Sequence, residues 1–155
     1  MTAHKNNKMN VDDIIVHIQR NMEDWLFDKS HISCNHINAT DVELKDRIGR
    51  MNANGVTVTR SGSFLDANDG DDIVAGLKKD LIGLAEEIEF WLNRTKSRYV
   101  QFYFDELPYG VDAIYCSTYS GWKIRKTHQY YMVLCRNEDY SFYLKNVYPI
   151  KKEEF

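Results

Sequence analysis

Residues 130–150 read YYMVLCRNEDYSFYLKNVYPI, and this stretch decides the fold. Two runs of aromatic and β-branched residues flank a short polar segment, which is the pattern of a β-hairpin. We predict strands over residues 129–136 and 141–148, joined by a turn at Asn137-Glu138-Asp139. The end of the chain is therefore expected to be part of an antiparallel sheet.

The same strand-like composition extends backwards along the chain. Runs of aromatic and β-branched residues also lie over residues 99–104, 112–119 and 121–125. Helical patterns precede them, and the order of helices first and strands afterwards is typical of an α+β fold. We expect an α+β domain in which a long helix lies on one antiparallel sheet.

Three helices are predicted before this sheet. Apolar residues recur at helical spacing from Val11 to about Phe27. Thr40-Asp41-Val42-Glu43 has the pattern of a capping box and begins a second helix, which should end near Asn54-Gly55. A third helix carries one apolar stripe from Ile73 to Leu92, over roughly five turns.

The segment between the second and third helices is expected to be mostly irregular. We predict a short strand over residues 56–59 and a loop over residues 61–70, anchored by Phe64. The acidic residues near its end lack the spacing of a calcium-binding loop. They are expected to cap the third helix or to contact a basic partner: Asp66, Asp69, Asp71 and Asp72.

Length and composition favour one domain. The chain has 155 residues, of which 43% are hydrophobic, enough to form a core. We assign residues 1–29 to an N-terminal extension with one helix and residues 30–155 to the domain itself. Three cysteines without framework spacing argue against a disulfide scaffold. No apolar run is long enough for a signal peptide or a membrane span, so we expect no membrane anchor.

The charge distribution limits the partners. A net charge of −3 and a pI near 5.9 argue against a non-specific nucleic-acid binder. Basic residues nevertheless cluster from Lys123 to His128, where they could follow an RNA backbone. Several aromatic residues could stack on a base, with none of them singled out: Tyr109, Tyr115, Tyr119 and Trp122. Ordinary solvated surface charge and sheet packing remain the alternative for these residues.

Three residues around the capping box are candidates for chemistry. His31 and His36 precede the second helix, and Arg47 lies within it. A histidine can accept or donate a proton near neutral pH, and the planar fork of an arginine can bind phosphate oxygens. A simpler interpretation stays open, in which the histidines support the helix and Arg47 pairs with Asp46 or Glu43.

A metal site is not expected from this sequence. His31, Cys34 and His36 would lack a fourth ligand, and their spacing matches no zinc motif. We therefore predict neither a metal nor a cofactor.

The segment SHISCNHINATDVELKDRI, residues 30–48, resembles the opening of bacterial RNase A-like domains found at the C-termini of contact-dependent growth inhibition toxins. The shared pattern is a histidine, four residues, a His-Ile pair, a capped helix and an arginine. Residues 61–66, SGSFLD, and the helix end at Ile88 and Trp91-Leu92 are similar to later elements of that family. The final hairpin also ends in a Tyr-Pro pair, as in that family, so the resemblance covers about residues 30–150.

This resemblance implies an RNase A-like fold and metal-independent cleavage of RNA. The ribose 2′-hydroxyl would attack the neighbouring phosphorus, giving a 2′,3′-cyclic phosphate and a free 5′-hydroxyl. By position, His36 is the general base or acid and Arg47 stabilises the crowded negative phosphate. Tyr148 is the phosphate hydrogen-bond donor or proton relay.

One position departs from the family pattern. The family has a catalytic threonine two residues before the tyrosine, and Asn146 occupies that position here. An asparagine can donate a hydrogen bond to an oxyanion, but it does not give up a proton at ordinary pH. His31 is then either a second acid–base group or a structural partner that orients His36.

The resemblance also implies partners and a place of action. The expected partners are RNA, bound with the help of Lys123, Arg125 and Lys145, and a cognate immunity protein, but not DNA. The domain would be delivered from a secreted or surface effector and act in the cytoplasm of the target cell. Two alternatives remain open: an inactive relative that binds RNA or a protein, and a small regulatory, antitoxin-like α+β protein.

Overall fold

The computed structural model describes residues 8–28, 36–50, 55, 57–118 and 121–151. Helices and strands occur in both halves of the chain, and the predicted α+β class is confirmed. In chain order the elements are α1 Val11–Phe27, α2 Asp41–Arg47, β1 Arg60–Leu65, α3 Asp71–Ile82, α4 Ala85–Arg94, β2 Tyr99–Phe104, β3 Asp112–Ser117, β4 Arg125–Lys126, β5 Tyr130–Arg136 and β6 Phe142–Pro149.

The strands form two antiparallel sheets, so the expectation of one sheet was wrong. One sheet has the order β1-β3-β4 and the other β2-β5-β6. The predicted closing hairpin is confirmed, since β5 pairs with β6 and the Asn137 amide donates to the Ser141 carbonyl across the turn. The first sheet exists because residues 60–65, predicted mostly as a loop, form β1 and pair with β3 along their whole length.

Two helices end earlier than the sequence pattern indicated. The apolar stripe from Ile73 to Leu92 is divided between α3 and α4, which meet at Gly83-Leu84. The second helix ends at Arg47, because Ile48 is extended and Gly49 takes a φ of +89°. A glycine in this left-handed conformation commonly terminates a helix. Part of the predicted continuation, residues 51–54, lies outside the described residues.

The capping interactions were predicted correctly. The Thr40 hydroxyl accepts from the Glu43 amide, and the Glu43 carboxylate accepts from the Thr40 amide. Asp66 accepts from the backbone amides of Asn68 and Ile73, so this buried carboxylate caps the start of α3. Of the strand predicted over residues 56–59, Val56 lies outside the described residues, Thr57 forms an isolated bridge, and β1 begins only at Arg60. The strand predicted over residues 121–125 is reduced to β4.

The main core lies between the helices and the second sheet. The apolar face of α1 is fully buried in it, together with residues of α3, α4, β5 and β6. That face consists of Ile14, Ile18, Met22 and Leu26. The domain boundary at residue 29 remains a prediction, since residues 29–35 lie outside the described residues.

Arg136 fastens α4 to the second sheet. Its guanidinium donates to the carbonyl oxygens of Leu92 and Thr95, at 2.7 and 2.6 Å, and its Nε donates to Ser97 at 2.7 Å. These carbonyls belong to the last turn of α4 and the segment after it, where a helix leaves its acceptors unsatisfied and a cation is favoured. The start of β2 is thereby held beside β5.

Two further sequence expectations concern cysteines and membranes. Cys116 and Cys135 are buried free thiols, whereas Cys34 lies outside the described residues. Across the described parts of the chain, no helix combines the length and the apolar character that a bilayer span requires.

Candidate functional site

A groove of about 280 Å³ lies where β1 of the first sheet meets β6 of the second. Its walls are His36, residues 57–62, Asn146 and residues 148–150. Three residues that the sequence predicted for the site, His36, Asn146 and Tyr148, are thus brought together. They come from segments more than a hundred residues apart.

His36 is held against β1 by its own ring. Its Nδ1 lies 2.9 Å from the Gly62 carbonyl oxygen. A carbonyl can only accept, so Nδ1 carries the hydrogen and Nε2 holds the lone pair when the ring is neutral. The next residues continue along β1, because Ile37 bridges to Phe64 and the Asn38 amide donates to the Phe64 carbonyl at 2.7 Å. This tautomer is the one that a general base at Nε2 requires.

Gly62 lies where the two sheets approach each other closely. A Cβ at this position would lie 2.2 Å from the Pro149 carbonyl oxygen. Any side chain larger than hydrogen would therefore push β1 away from β6. Because Gly62 also positions His36, the glycine sets the width of the groove and the orientation of the imidazole together.

A bulge in β6 turns Asn146 and Tyr148 towards the groove. Val133 pairs with Asn146 and Leu134 with Leu144, so Lys145 is an extra residue in β6. Without it, the alternation that buries Leu144 would also bury Asn146 and Tyr148. With it, Val147 is the buried residue and its two neighbours line the groove.

The side chain of Asn146 has a defined orientation. Its Oδ1 accepts from the Val147 backbone amide at 3.0 Å. A backbone amide can only donate, so the oxygen and nitrogen of the side chain are distinguished by this bond. The amide nitrogen is the end of Asn146 that can donate to a ligand in the groove.

Tyr148 packs on a row of tyrosines that crosses the second sheet. Its ring stacks on Tyr131 with centroids 5.8 Å apart, and Tyr131 in turn contacts Tyr103 at 5.2 Å. Burial raises the pKa of Tyr148 to about 12, and the nearby guanidinium of Arg60 acts in the opposite direction. The phenol is therefore protonated at neutral pH and can donate a hydrogen bond. The ring centroids of Tyr148 and His36 are 6.0 Å apart.

Sequence reasoning missed several residues of the groove, among them Arg60 and Ser61. Arg60 is partly buried, and its guanidinium hydrogen-bonds to the phenol oxygen of Tyr148. Ser61 is only 6% exposed. Its hydroxyl has no hydrogen-bond partner within the described residues. Ser61 had been predicted to lie in a loop and Arg60 in no element, so the sequence assigned no strand face to either side chain.

Arg47 is not among the residues that line the groove. Arg47 is the last residue of α2. Shortly after it, the Gly49 amide donates to the Val58 carbonyl and the Val58 amide donates to the Arg50 carbonyl, so this segment pairs with the groove wall. The pKa of Glu43 is lowered by its hydrogen bonds to Thr40 and, to a smaller extent, by the charge of Arg47. The proposed contact of Arg47 with phosphate stays a prediction.

The other candidates lie elsewhere. Lys123, Arg125 and Lys145 are exposed and do not line the groove. Tyr115 is fully buried and cannot stack on a base, whereas Tyr109 and Trp122 are exposed. Three candidates lie outside the described residues: His31, Cys34 and Tyr119. Within the described ranges, no group of three histidine, cysteine or acidic side chains could hold a metal ion.

The fold is similar to that of a chain in a solved complex. The match is to the crystal structure of the CdiA-CT/CdiI complex from Y. kristensenii 33638, with a TM-score of 0.62 and 17% sequence identity. It covers 79% of this chain and 100% of the matched chain. No family model and no curated protein matches the sequence. At this identity, the similarity shows the fold alone.

Replacing Gly62 by alanine tests the close approach of the sheets. We expect Gly62→Ala to lower the free energy of unfolding by about 2 kcal/mol or more, because the new Cβ overlaps the Pro149 carbonyl. The matched control is Gly83→Ala, since Gly83 has a φ of −60° and the nearest atom to its added Cβ is 3.3 Å away. Urea unfolding measures both variants. Equal stability of the two would contradict the close approach.

The raised pKa of Tyr148 predicts a pH dependence of stability. The folded protein retains the phenol proton up to about pH 12, whereas an ordinary tyrosine loses it near pH 10. The unfolded chain therefore binds fewer protons within this window, and the free energy of unfolding falls as the pH rises through it. We expect the free energy of unfolding of Tyr148→Phe to fall less steeply than that of the parent between about pH 10 and pH 12, as measured by urea unfolding at several pH values. An identical dependence would show that Tyr148 titrates normally.

Proposed function

We propose that this protein is a metal-independent endoribonuclease that acts as a toxin in competition between bacteria. The observation that carries the proposal is the groove itself, in which an imidazole in the required tautomer faces a protonated phenol. With ring centroids 6.0 Å apart, the two side chains are close enough to contact one phosphate group bound in the groove. The resemblance of residues 30–48 to RNase A-like toxin domains supports the same assignment.

The chemistry follows from the roles of the three side chains. His36 Nε2 takes the proton from the ribose 2′-hydroxyl, and the resulting oxygen attacks phosphorus. The bond from phosphorus to the 5′-oxygen breaks, leaving a 2′,3′-cyclic phosphate, and the departing oxygen takes a proton from a water molecule. Tyr148 and the amide nitrogen of Asn146 donate to the phosphate oxygens as negative charge accumulates on them. Arg47, at the end of α2, would add positive charge from the neighbouring helix.

The biological role is proposed from the fold. A chain of the same fold is part of a CdiA-CT/CdiI complex. We propose that this protein likewise has a cognate immunity protein, which covers the groove and prevents access of RNA. The domain would be delivered by a secreted or surface effector and would meet RNA in the target cytoplasm.

A second function is favoured by one observation, the asparagine at position 146. Its side chain can donate but cannot shuttle a proton, so the chain would be a relative that has lost catalysis and binds RNA or a protein instead. RNA binding without cleaved ends would support this alternative, whereas cyclic phosphate ends would exclude it.

Removing His36 tests the ribonuclease proposal. With total RNA and EDTA, we expect the parent to produce 2′,3′-cyclic phosphate and 5′-hydroxyl ends, and His36→Ala to be slower by about 100-fold or more. The histidine control is His17→Gln, because His17 lies on α1, bonds to the Phe142 carbonyl and does not line the groove. It should cleave as the parent does. Cleavage by His36→Ala at the parental rate would disprove the assigned role.

Restoring a hydroxyl at position 146 tests the departure from the family pattern. We expect Asn146→Thr to raise kcat/KM by about tenfold, since a hydroxyl can both donate to the phosphate and pass on a proton. Threonine also suits a strand position. Asn146→Ala, which removes the donor altogether, should be slower than the parent. If Asn146→Thr were no faster than Asn146→Ala, a hydroxyl at this position would have no catalytic role.

A further inference from the structure

The second sheet has one face on the main core and one face turned away from it. Because side chains alternate along a strand, every second residue of β2 and β5, and of β6 apart from its bulge, belongs to this outer face. The register of the strands arranges these residues in three rows across the sheet: Tyr103-Tyr131-Tyr148, Gln101-Val133-Asn146 and Tyr99-Cys135-Tyr143. The middle row ends at Asn146 and therefore leads out of the groove.

The three rows differ in how much of them is accessible. In the first row, Tyr131 is only 5% exposed and packs with Tyr115 of the first sheet. In the middle row, Val133 is partly buried and Gln101 is exposed. In the third row, Tyr99 is 47% exposed. The accessible part of the outer face therefore begins at the middle row, directly beside the groove.

The third row is held together around a buried thiol. The pKa of Tyr143 is raised to about 12, chiefly by the hydrogen bond of its phenol to Cys135. The guanidinium of Arg98 also hydrogen-bonds to Cys135, and it lies over the ring of Tyr99, 5.5 Å from the ring centroid. These contacts connect Tyr99 and Tyr143, so both rings are held in place in the ligand-free protein.

The middle row has smaller side chains than the two rows beside it. Residues two apart on a strand are separated by about 7 Å, so the tyrosines of the first and third rows stand about 13 Å apart. The short side chain of Val133 leaves a recess between them, with the amides of Gln101 and Asn146 at its two ends. A nucleobase has apolar faces that stack on aromatic rings and polar edges that bond to amides, so this recess has the chemistry to bind one.

Positive charge lies beside the recess on both outer strands. Arg98 is exposed next to the start of β2, and Lys145, the extra residue of the β6 bulge, is exposed as well. A carboxylate, Asp105, lies just beyond the other end of β2, where it accepts from the Tyr103 phenol at 2.8 Å. A negatively charged strand is therefore favoured on the side of Arg98 and Lys145.

We propose that the recess over Val133, between the groove and the rings of Tyr99 and Tyr143, binds the nucleobase next to the phosphodiester in the groove. The base packs on Val133 and against Tyr99, Gln101 bonds to its edge, and Arg98 attracts the next phosphate. The ligand is single-stranded RNA, because a paired base has its edge in use and its faces stacked. The identity of that phosphodiester rests on the proposed ribonuclease function, but binding in the recess does not require cleavage.

Binding is measured with a single-stranded oligonucleotide whose riboses all carry a 2′-O-methyl group, since this strand has no 2′-hydroxyl to attack phosphorus. We expect Tyr99→Ser to weaken binding by about five- to 100-fold, because stacking on an aromatic ring contributes to the binding of each base. Val133→Tyr, which fills the recess, should also weaken it by about fivefold or more. Gln101→Ala, at an exposed position, should weaken it by about threefold.

The matched control is Phe90→Ser. Phe90 is also an exposed aromatic residue with a guanidinium over its ring, that of Arg94 at 5.8 Å, but it lies on α4 and not on the outer face. This variant should bind the oligonucleotide as the parent does. Urea unfolding shows that each variant is folded. If either Tyr99→Ser or Val133→Tyr is folded and binds with the parental affinity, the recess is not a base site.

The charge of Arg98 is tested separately from stacking. For single strands, the logarithm of the affinity falls with the logarithm of the salt concentration by about 0.7 for each phosphate that a protein neutralises. We expect Arg98→Gln to reduce this slope by about 0.7 and Tyr99→Ser to keep it. The control Arg94→Gln should keep both the slope and the affinity. An Arg98→Gln slope equal to that of the parent would contradict the phosphate contact.

Cleavage of unmodified RNA by the same proteins distinguishes the base site from the ribonuclease proposal. If the parent cleaves RNA and Tyr99→Ser keeps both its affinity and its KM, the base site is disproved and the ribonuclease assignment stands. If the parent does not cleave RNA but Tyr99→Ser and Val133→Tyr lose affinity for the methylated strand, the base site stands and the ribonuclease assignment fails. A parent that does not bind this strand, or that binds its duplex as tightly, overturns the base site.

Discussion

The close approach of β1 and β6 at Gly62 is the constraint on which the candidate site depends. Only hydrogen fits between the Gly62 Cα and the Pro149 carbonyl. This contact joins two sheets that, within the described residues, have no strand in common. The Gly62 carbonyl fixes the His36 ring on one side of the contact, and on the other side β6 presents Tyr148 one residue before Pro149. The absence of a side chain at Gly62 therefore allows His36 and Tyr148, which are far apart in the sequence, to lie in the same groove.

The small residues of β1 and the segment beside it have distinct structural roles. Gly62 allows the sheets to meet, and the Ser63 hydroxyl accepts from the Ala39 amide at 2.9 Å, which supports the segment that carries His36. Just after the end of β1, the side chain of Asn38 donates to the Asp66 carbonyl and accepts from the Asp66 amide. The hydroxyl of Ser61 differs from these groups, because it has no hydrogen-bond partner among the described residues.

The sequence predicts local structure better than it predicts the site. The closing hairpin, the capping box of α2 and the first helix follow from short patterns whose physics is local. By contrast, Ser61-Gly62-Ser63 has the composition of a loop, and only contacts with distant segments make it a strand that pairs with β3 and approaches β6. His36, Asn146 and Tyr148 were predicted because a family pattern marked them. Arg60 lies just outside the matched segment 61–66, and nothing in its neighbours indicated that it faces the same groove.

The net charge limits how the proposed ribonuclease could bind RNA. At physiological ionic strength, surface charges act over about 8 Å, so the overall charge of −3 has little influence inside a groove. A partly buried guanidinium in contact with a phosphate is screened much less. A protein of this composition gains little from general attraction to nucleic acid, so under the proposed ribonuclease function its affinity for RNA has to come from a few contacts in one place. The groove between the two sheets, lined by His36, Asn146 and Tyr148, is the place that we propose for them.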